Sequence, residues 1–295
     1  MQGYVIALGF FDGVHLGHGA LLRRTKELAE RLSLIPAALT LHPHPSALLD
    51  RTPVKLLTTT EERAELMREL YGIERMFVLP FDAHTSGLPW EKFAEETLIG
   101  QFHAECLVCG QDYRFGAGGK GTPALLKEKC DTLGIGFSCV EEVRLDGQKV
   151  SSTYIRELLS RGEMREAVRF LGHPHLLRGR VVAGRRLGRT LGIPTANLNV
   201  SAELLLPRFG VYAAKAYFDG EERLAVVNIG RRPTVNGESV TVEPWILEYD
   251  GDLYGHTVTL ALYEFLRPER KFPDLEALTA EIRRNADQTR ALFTN

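Results

Sequence analysis

Gly9-Phe10-Phe11-Asp12-Gly13-Val14-His15-Leu16-Gly17-His18 decides how the first half of this chain is read. A short apolar run, Tyr4 to Leu8, precedes it and reads as a strand. An amphipathic run from Ala20 to Leu32 follows and reads as a helix. A strand, a glycine-rich turn and a helix start together make an anion site, because unpaired N–H groups and the positive end of the helix dipole converge there. His15 and His18 stand where the helix opens, placed to hold a phosphate chain from the side. The turn lacks the Gly-Lys-Ser/Thr of a Walker loop, so it suits chemistry at an α-phosphate rather than γ-phosphate transfer by that route. A bare His-x-Gly-His also fits a turn with two surface histidines; its position directly after an N-terminal strand favours the phosphate reading.

Outward from this turn, strand-like and helix-like segments alternate. Ala37–Leu41, Met76–Leu79, Glu105–Cys109 and Gly136–Val140 read as further strands, separated by helices near Glu61–Leu70, Trp90–Gln101 and Pro123–Leu133. Thr58 with Glu61 and Thr59 with Glu62 are both candidate capping boxes, and Thr122-Pro123 is a helix start. The alternation predicts a Rossmann-like parallel sheet with helices on both faces, which binds ligands beyond the carboxyl ends of its strands. On that rim stand Leu41-His42-Pro43-His44-Pro45, whose His44 is placed to meet phosphate, and Gly110-Gln111-Asp112-Tyr113-Arg114-Phe115-Gly116. The second offers aromatic faces and an acid to a planar ring, and is as readily a plain surface loop. Val150-Ser151-Ser152-Thr153-Tyr154-Ile155-Arg156 sets three hydroxyls and a guanidinium at a helix start, either a second phosphate clamp or an N-cap cluster with a solvated arginine.

Two short helices, Thr153–Ser160 and Glu163–Leu171, precede Gly172-His173-Pro174-His175, where the character changes. This predicts one domain over 1–173 and another over 174–295. Leu177–Ala183, Val211–Tyr217, Leu224–Ile229, Thr241–Leu247 and Thr257–Phe265 read as strands of a small antiparallel barrel, with Asp219-Gly220 and Asp250-Gly251 as hairpin turns. A final helix follows Asp274. Gly184, Gly188 and Gly192, spaced four apart with Arg185, Arg186 and Arg189 between them, make a loop that backbone-binding ligands can approach. A basic surface loop or a nucleic-acid patch are the alternatives. Pro194-Thr195-Ala196-Asn197 adds hard oxygen ligands suited to Mg²⁺. Glu243 stands inside an apolar strand, where an acid needs a partner or a chemical task.

Global properties narrow the class. The 295 residues suffice for two ordinary domains, and a net charge of -2 argues against a dedicated nucleic-acid binder. No apolar run approaches the roughly 20 residues that cross a bilayer. The first strand begins too near Met1 to leave room for a leader, so a cytoplasmic location is expected. Cys106 and Cys109 lie three apart on a strand and so face opposite ways. They read, with Cys130 and Cys139, as small hydrophobes in a reducing compartment rather than as a metal pair.

His15-Leu16-Gly17-His18 with Ser151-Ser152-Thr153-Tyr154-Ile155-Arg156 resembles the adenylyltransferase half of the bacterial bifunctional riboflavin kinase/FAD synthetase family. By that resemblance His15 and His18 steady the phosphates of ATP during attack by FMN, with Gly9, Phe10, Asp12, Gly13 and Gly17 around them. Ser151, Ser152, Thr153 and Arg156 hold the leaving pyrophosphate, and His44, Asp112, Tyr113 and Phe115 border the flavin. Gly184 to Asn197, Asn228-Ile229-Gly230-Arg231-Arg232-Pro233-Thr234, Glu243 and Leu266-Arg267-Pro268-Glu269-Arg270-Lys271-Phe272 resemble, in this order, the family's riboflavin kinase module. That likeness implies a six-stranded barrel with a terminal helix. ATP would lie under Gly184, Gly188, Gly192 and Pro194, Mg²⁺ on Thr195 and Asn197, a general base would be Glu243, and a flavin site would be bordered by Arg267 and Phe272. The expected function is therefore phosphorylation of riboflavin to FMN, then adenylylation of FMN to FAD with release of pyrophosphate. Small molecules are the expected partners, with no nucleic acid or membrane. The chain departs from the family pattern at His42, Tyr113, Gly119 (with Lys120 beside it), Tyr154 and Asn285. The alternatives are a monofunctional riboflavin kinase with a catalytically weak nucleotide-binding first domain, and a flavin or nucleotide sensor without turnover.

Overall fold

The structure, a computed structural model, describes residues 3–49, 54–182, 193–234 and 237–294. It divides into two compact units, Met1–Ser152 and Thr153–Asn295.

In the first unit five parallel strands take the order β3-β2-β1-β4-β5, with β1 Tyr4–Leu8, β2 Ile35–His42, β3 Arg75–Pro80, β4 Ala104–Gly110 and β5 Gly136–Val140. Helix α1 (Leu16–Leu32) buries Leu28 and Ala29 against Val5, Cys106 and Val108 on one face. The opposite face presents Ile6, Leu8, Leu107 and Cys109 to Phe93, Leu98, Leu126 and Cys130. Cys106 and Cys109 thus enter different cores, as their spacing on a strand requires. The order places β2 and β4 on opposite sides of β1. The loops that leave β1 and β4 therefore flank a topological switch point, where such sheets open a crevice.

Local signals set most boundaries. After the short helix α2 (Pro45–Leu49), Thr59 caps α3 (Thr60–Tyr71) in a complete capping box with Glu62, whereas Thr58 is drawn instead to the β1 loop. Thr122 caps the helix Pro123–Leu133 with proline in its first turn. The expected helix Trp90–Gln101 is α-helical only over Trp90–Lys92 and continues as a π-helix over Phe93–Gln101. Periodicity does not distinguish the two windings, because the buried pairs Phe93-Ala94 and Thr97-Leu98 recur at a spacing both accommodate.

The second unit opens with two helices, Ser152–Arg161 and Met164–Leu171, and continues as a closed antiparallel barrel. After the two-stranded ribbon of the first unit, β6 Arg144–Leu145 and β7 Gln148–Lys149, the barrel strands are β8 His175–Val182, β9 Asn197–Val200, β10 Gly210–Phe218, β11 Glu221–Thr234, β12 Gly237–Ile246 and β13 Thr257–Arg267, ordered β10-β11-β12-β9-β8-β13. Strand β9 is too short to announce itself in the sequence. Asp219-Gly220 joins the paired strands β10 and β11 as expected. Asp250-Gly251 does not close a hairpin: β12 pairs with β11 and β9, while β13 pairs with β10 and β8. Barrel closure, a property of all six strands, decides that pairing, so a local turn signal is overruled. Tyr212, Val227, Ile229, Val242 and Leu198 form a buried inner row. The C-terminal helix, Leu275–Thr294, is capped by Asp274 and lays Ala286 against Val211 and Val226 on the outer face. Among the described residues no helix is long and apolar enough to cross a membrane.

Candidate functional site

The β1 loop is held in a shape that most residues avoid. Phe11, Gly13 and Val14 have φ of 58°, 78° and 40°, a region that costs non-glycine residues of order 1 kcal/mol or more each. Three braces hold it. The Asp12 carboxylate accepts from the N–H groups of Leu57 and Thr58, at 2.9 and 3.1 Å, and Gly13 N–H donates to Thr58 Oγ1. The Ser152 hydroxyl donates to the Asp12 carbonyl at 2.9 Å.

This fixed loop delivers His15 as the N-cap of α1, which begins four residues earlier than periodicity indicates, at Leu16. Both imidazoles therefore belong to the first turn. Their rings stack with centroids 3.6 Å apart and planes 13° apart. His18 N–H donates to His15 Nδ1 at 3.3 Å, so a neutral His15 carries its proton on Nε2. Burial, then the neighbouring His15 and Arg63, hold the His18 imidazole well below its ordinary pKa and keep it neutral. Gly17 is required by contact: a Cβ there would lie 3.1 Å from the His15 ring and 3.4 Å from the Val150 carbonyl.

A cavity of about 560 Å³ opens over this turn. Gly9, Phe10, His15, Gly17, His18, Asp112, Tyr113, Phe115, Ser151 and Ser152 all line it, so three separated stretches of sequence meet at one place. Tyr113 and Phe115 stack with centroids 5.4 Å apart and form an aromatic wall. Lys149 ties this wall to the opposite rim through ion pairs with Asp112 and Glu142, each at 2.8 Å. His44 is not among the lining residues but touches Phe10, which is, edge to ring at 4.4 Å. Its Nδ1 accepts from Ser46 N–H, which leaves Nε2 as the donor of a neutral ring. Asp12 and Gly13 correct the expectation of direct phosphate contact: they do not line the cavity, because their polar groups are consumed by the braces. Thr153 and Arg156 fall in the second unit. Tyr154, a departure from the family pattern, packs its ring on Phe170 at 4.9 Å, a role that asks for no charge. Lys149, Thr58 and Thr40 were not legible as site residues. Lys149 alone carried a signal, standing two places before Ser151.

The barrel carries a second constellation. Strand β12 places Glu243 opposite Asn228 of β11. Its pairing with the β9 segment (Val242 with Leu198, Thr195 with Trp245) puts Asn197 opposite Glu243 on the other side. Antiparallel partners share a face, so Asn197, Glu243 and Asn228 form one polar row, with Thr195 diagonal to the acid. The row lies on the outer face, alternate to the buried Val242 and Ile229. Glu243 is half-buried rather than enclosed in the core, which corrects the expectation drawn from its apolar flanks. Arg267 donates from Nε to Asn285 Oδ1 at 3.0 Å, stands 3.5 Å from the Glu281 carboxylate, and lies 5.4 Å from the Phe272 ring centre. Glu281 thereby supplies Arg267 with the negative charge that the neutral Asn285 amide does not. Gly184, Gly188 and Gly192, with the arginines between them, lie outside the described residues.

A switch-point cavity lined by paired imidazoles in one unit and, in the other, a barrel bearing an acid in a row of neutral oxygen donors define a two-module nucleotide-handling transferase. Residues 1–154 match the family model for FAD synthetase and residues 171–293 that for riboflavin kinase. The chain is 38% identical to the bifunctional riboflavin kinase/FMN adenylyltransferase of Listeria monocytogenes, over 98% of this chain and 92% of that protein. It is 35% identical to the Bacillus subtilis protein of the same description, over 99% and 93%. The chain belongs to the bifunctional riboflavin kinase/FMN adenylyltransferase family. A crystal structure described as a macrolide-efflux protein from Streptococcus pneumoniae superposes with a TM-score of 0.89 at 31% identity, covering 98% of this chain and 94% of that one. That description belongs to the pneumococcal protein; both family models match the present chain.

Proposed function

We propose that the residues gathered in each unit perform the two reactions of the family in sequence: riboflavin and ATP to FMN and ADP, then FMN and ATP to FAD and pyrophosphate. The observation that carries this reading is the presence, on separate units, of two chemically unlike sites, a stacked imidazole pair over a cavity and an acid in a row of neutral oxygens. Both domain types are present, which favours two activities over a monofunctional kinase or a sensor. We place the functional boundary at 173/174.

In the first module no side chain need bond covalently to substrate. His15 and His18 present N–H donors beside the α-phosphate of ATP, and the α1 N-terminus adds its dipole. Two mutually repelling anions are thus oriented and their charge offset. Ser151 and the backbone N–H of Ser152 take the departing pyrophosphate, and Tyr113 and Phe115 cover the isoalloxazine ring.

In the second module Glu243 takes the proton of the ribityl 5′-hydroxyl as that oxygen attacks the γ-phosphorus; the bond to the β-phosphate oxygen breaks and ADP leaves. Thr195 and Asn197 offer neutral oxygens beside one carboxylate, a donor set that suits Mg²⁺ already carrying ATP oxygens. Bound there, Mg²⁺ would neutralise charge on the phosphates. Arg267 and Phe272 border the flavin. ATP-dependent chemistry and four free thiols fit a cytoplasmic setting.

Chromatography of products from riboflavin with Mg-ATP tests the whole reading. The wild type yields FMN and FAD. Glu243→Gln yields neither from riboflavin but converts supplied FMN to FAD, and His18→Ala stops at FMN. Full kinase rate in Glu243→Gln removes the base assignment.

A further inference from the structure

Arg63 has no part in the chemistry above, yet it is fully buried. Its Nη1 donates to the Phe10 carbonyl at 2.8 Å and to Thr40 Oγ1 at 2.8 Å. The Thr40 hydroxyl donates to the same carbonyl, also at 2.8 Å. The guanidinium carbon lies 4.4 Å from the centre of the Phe10 ring, and that ring meets His44 at 4.4 Å. Burying a cation costs several kcal/mol, and an aliphatic side chain would cover the sheet at no such cost. The contacts say what the cation secures: a cavity-lining residue on the strained β1 loop, by its carbonyl and its ring at once.

We propose that Arg63 is a positioning residue of the adenylyl-transfer site: it locks Phe10, and through it His44, and it sets a permanent positive charge behind the paired imidazoles where two phosphates meet. The inference rests on the adenylyl-transfer reading of that cavity. It goes beyond it by making a residue of α3, which does not line the cavity, a determinant of FMN use. The field of Arg63 also reaches His18 and contributes to holding that ring neutral, after burial and His15. Other charges face the same space. Asp12 lies in the β1 loop beside the imidazoles, and Asp112, Arg114, Glu141, Glu142 and Lys149 line the cavity. The effect of Arg63 is therefore read as a difference between variants.

The test uses the full chain with Arg63→Met and Arg63→Lys, and riboflavin phosphorylation by the second unit serves as an internal control. Arg63→Met is expected to lose about tenfold or more in kcat/KM for FMN adenylylation, the scale of a small misplacement, with kinase rate within about twofold. By NMR the His18 ring is expected to titrate higher in Arg63→Met than in the wild type, because a like charge has gone. Arg63→Lys, which keeps the charge, is expected to titrate as the wild type and to recover most of the adenylylation. A titration unchanged in Arg63→Met, or lysine and methionine variants equally impaired, overturns the proposal. If Arg63→Met leaves the first unit unfolded, Thr40→Val decides: a severalfold rise in KM for FMN supports the positioning role, and a wild-type KM overturns it. A wild type that makes no FAD from FMN and Mg-ATP fails the earlier reading; one that makes FAD equally well with Arg63→Met fails this inference alone.

Discussion

Gly17 shows how narrow the tolerance is at the scale of one residue. Its missing Cβ lets the Val150 carbonyl and the His15 ring both crowd the space beside its Cα. Gly17→Ala requires one of these to yield by a few tenths of an ångström, and the ring is the softer side. FMN adenylylation is therefore expected to fall about tenfold, measured as pyrophosphate release, while riboflavin phosphorylation is unchanged. His175 presents a different constraint. It is buried, its Nε2 lies 3.3 Å from the Leu205 carbonyl, and burial pushes its imidazole down to about 4. The unfolded chain binds a proton there near 6.5, before the folded chain does. Stability carried by neutral His175 is thus complete above about pH 6.5 and is lost as pH falls toward 4, by at most about 3 kcal/mol. Denaturant titrations across that window are expected to show the loss, and His175→Phe to flatten it.

Individual elements are secured by their ends. The Thr59–Glu62 box satisfies two backbone N–H groups at the start of α3, the helix that carries Arg63. Thr59→Ala is expected to cost about 1 kcal/mol in denaturant unfolding of the first unit. The C-terminal helix is fastened to the barrel differently. Asn285, 1% exposed, accepts from Arg267 and donates to Gln288, and its carbonyl accepts from Thr289. Asn285→Ala leaves Arg267 short of an acceptor and is expected to cost about 1–3 kcal/mol. Because Arg267 borders the proposed flavin site, KM for riboflavin is expected to rise in the same variant. The capping signals were plain in the sequence, since a cap is a relation between residues three apart. The π winding after Trp90 and the short strand β9 were not, because their backbone geometry depends on what packs against them.

At the scale of the whole molecule the two reactions share an intermediate, FMN, and each variant above blocks one of them. An equimolar mixture of Glu243→Gln and His18→Ala is therefore expected to make FAD from riboflavin, since FMN released by one supplies the other. Product chromatography with time decides it; FMN that accumulates without FAD would show that each site needs an intact partner in the same chain.

Much of this protein is written in short-range pattern. The strand–turn–helix at Gly9–His18, the alternation that makes a parallel sheet, and the change of character near Gly172 all follow from period and punctuation within a few residues. What those patterns leave open is which residues meet. Asp12 reads as a phosphate ligand but is a brace, because the loop at Leu57–Thr58 arrives beside it with three donors. Asp250-Gly251 reads as a hairpin but joins strands that never pair, because closing six strands into a barrel fixes neighbours globally. Arg63 gives no sign of its place, since a helical arginine is ordinarily solvated; only the packed sheet brings Phe10 and Thr40 to its guanidinium. The fold types, the two histidines at the opening of α1 and the strand that carries Glu243 follow from local pattern; which residues become partners is settled only once the elements pack, because contact between distant residues depends on how whole elements come together.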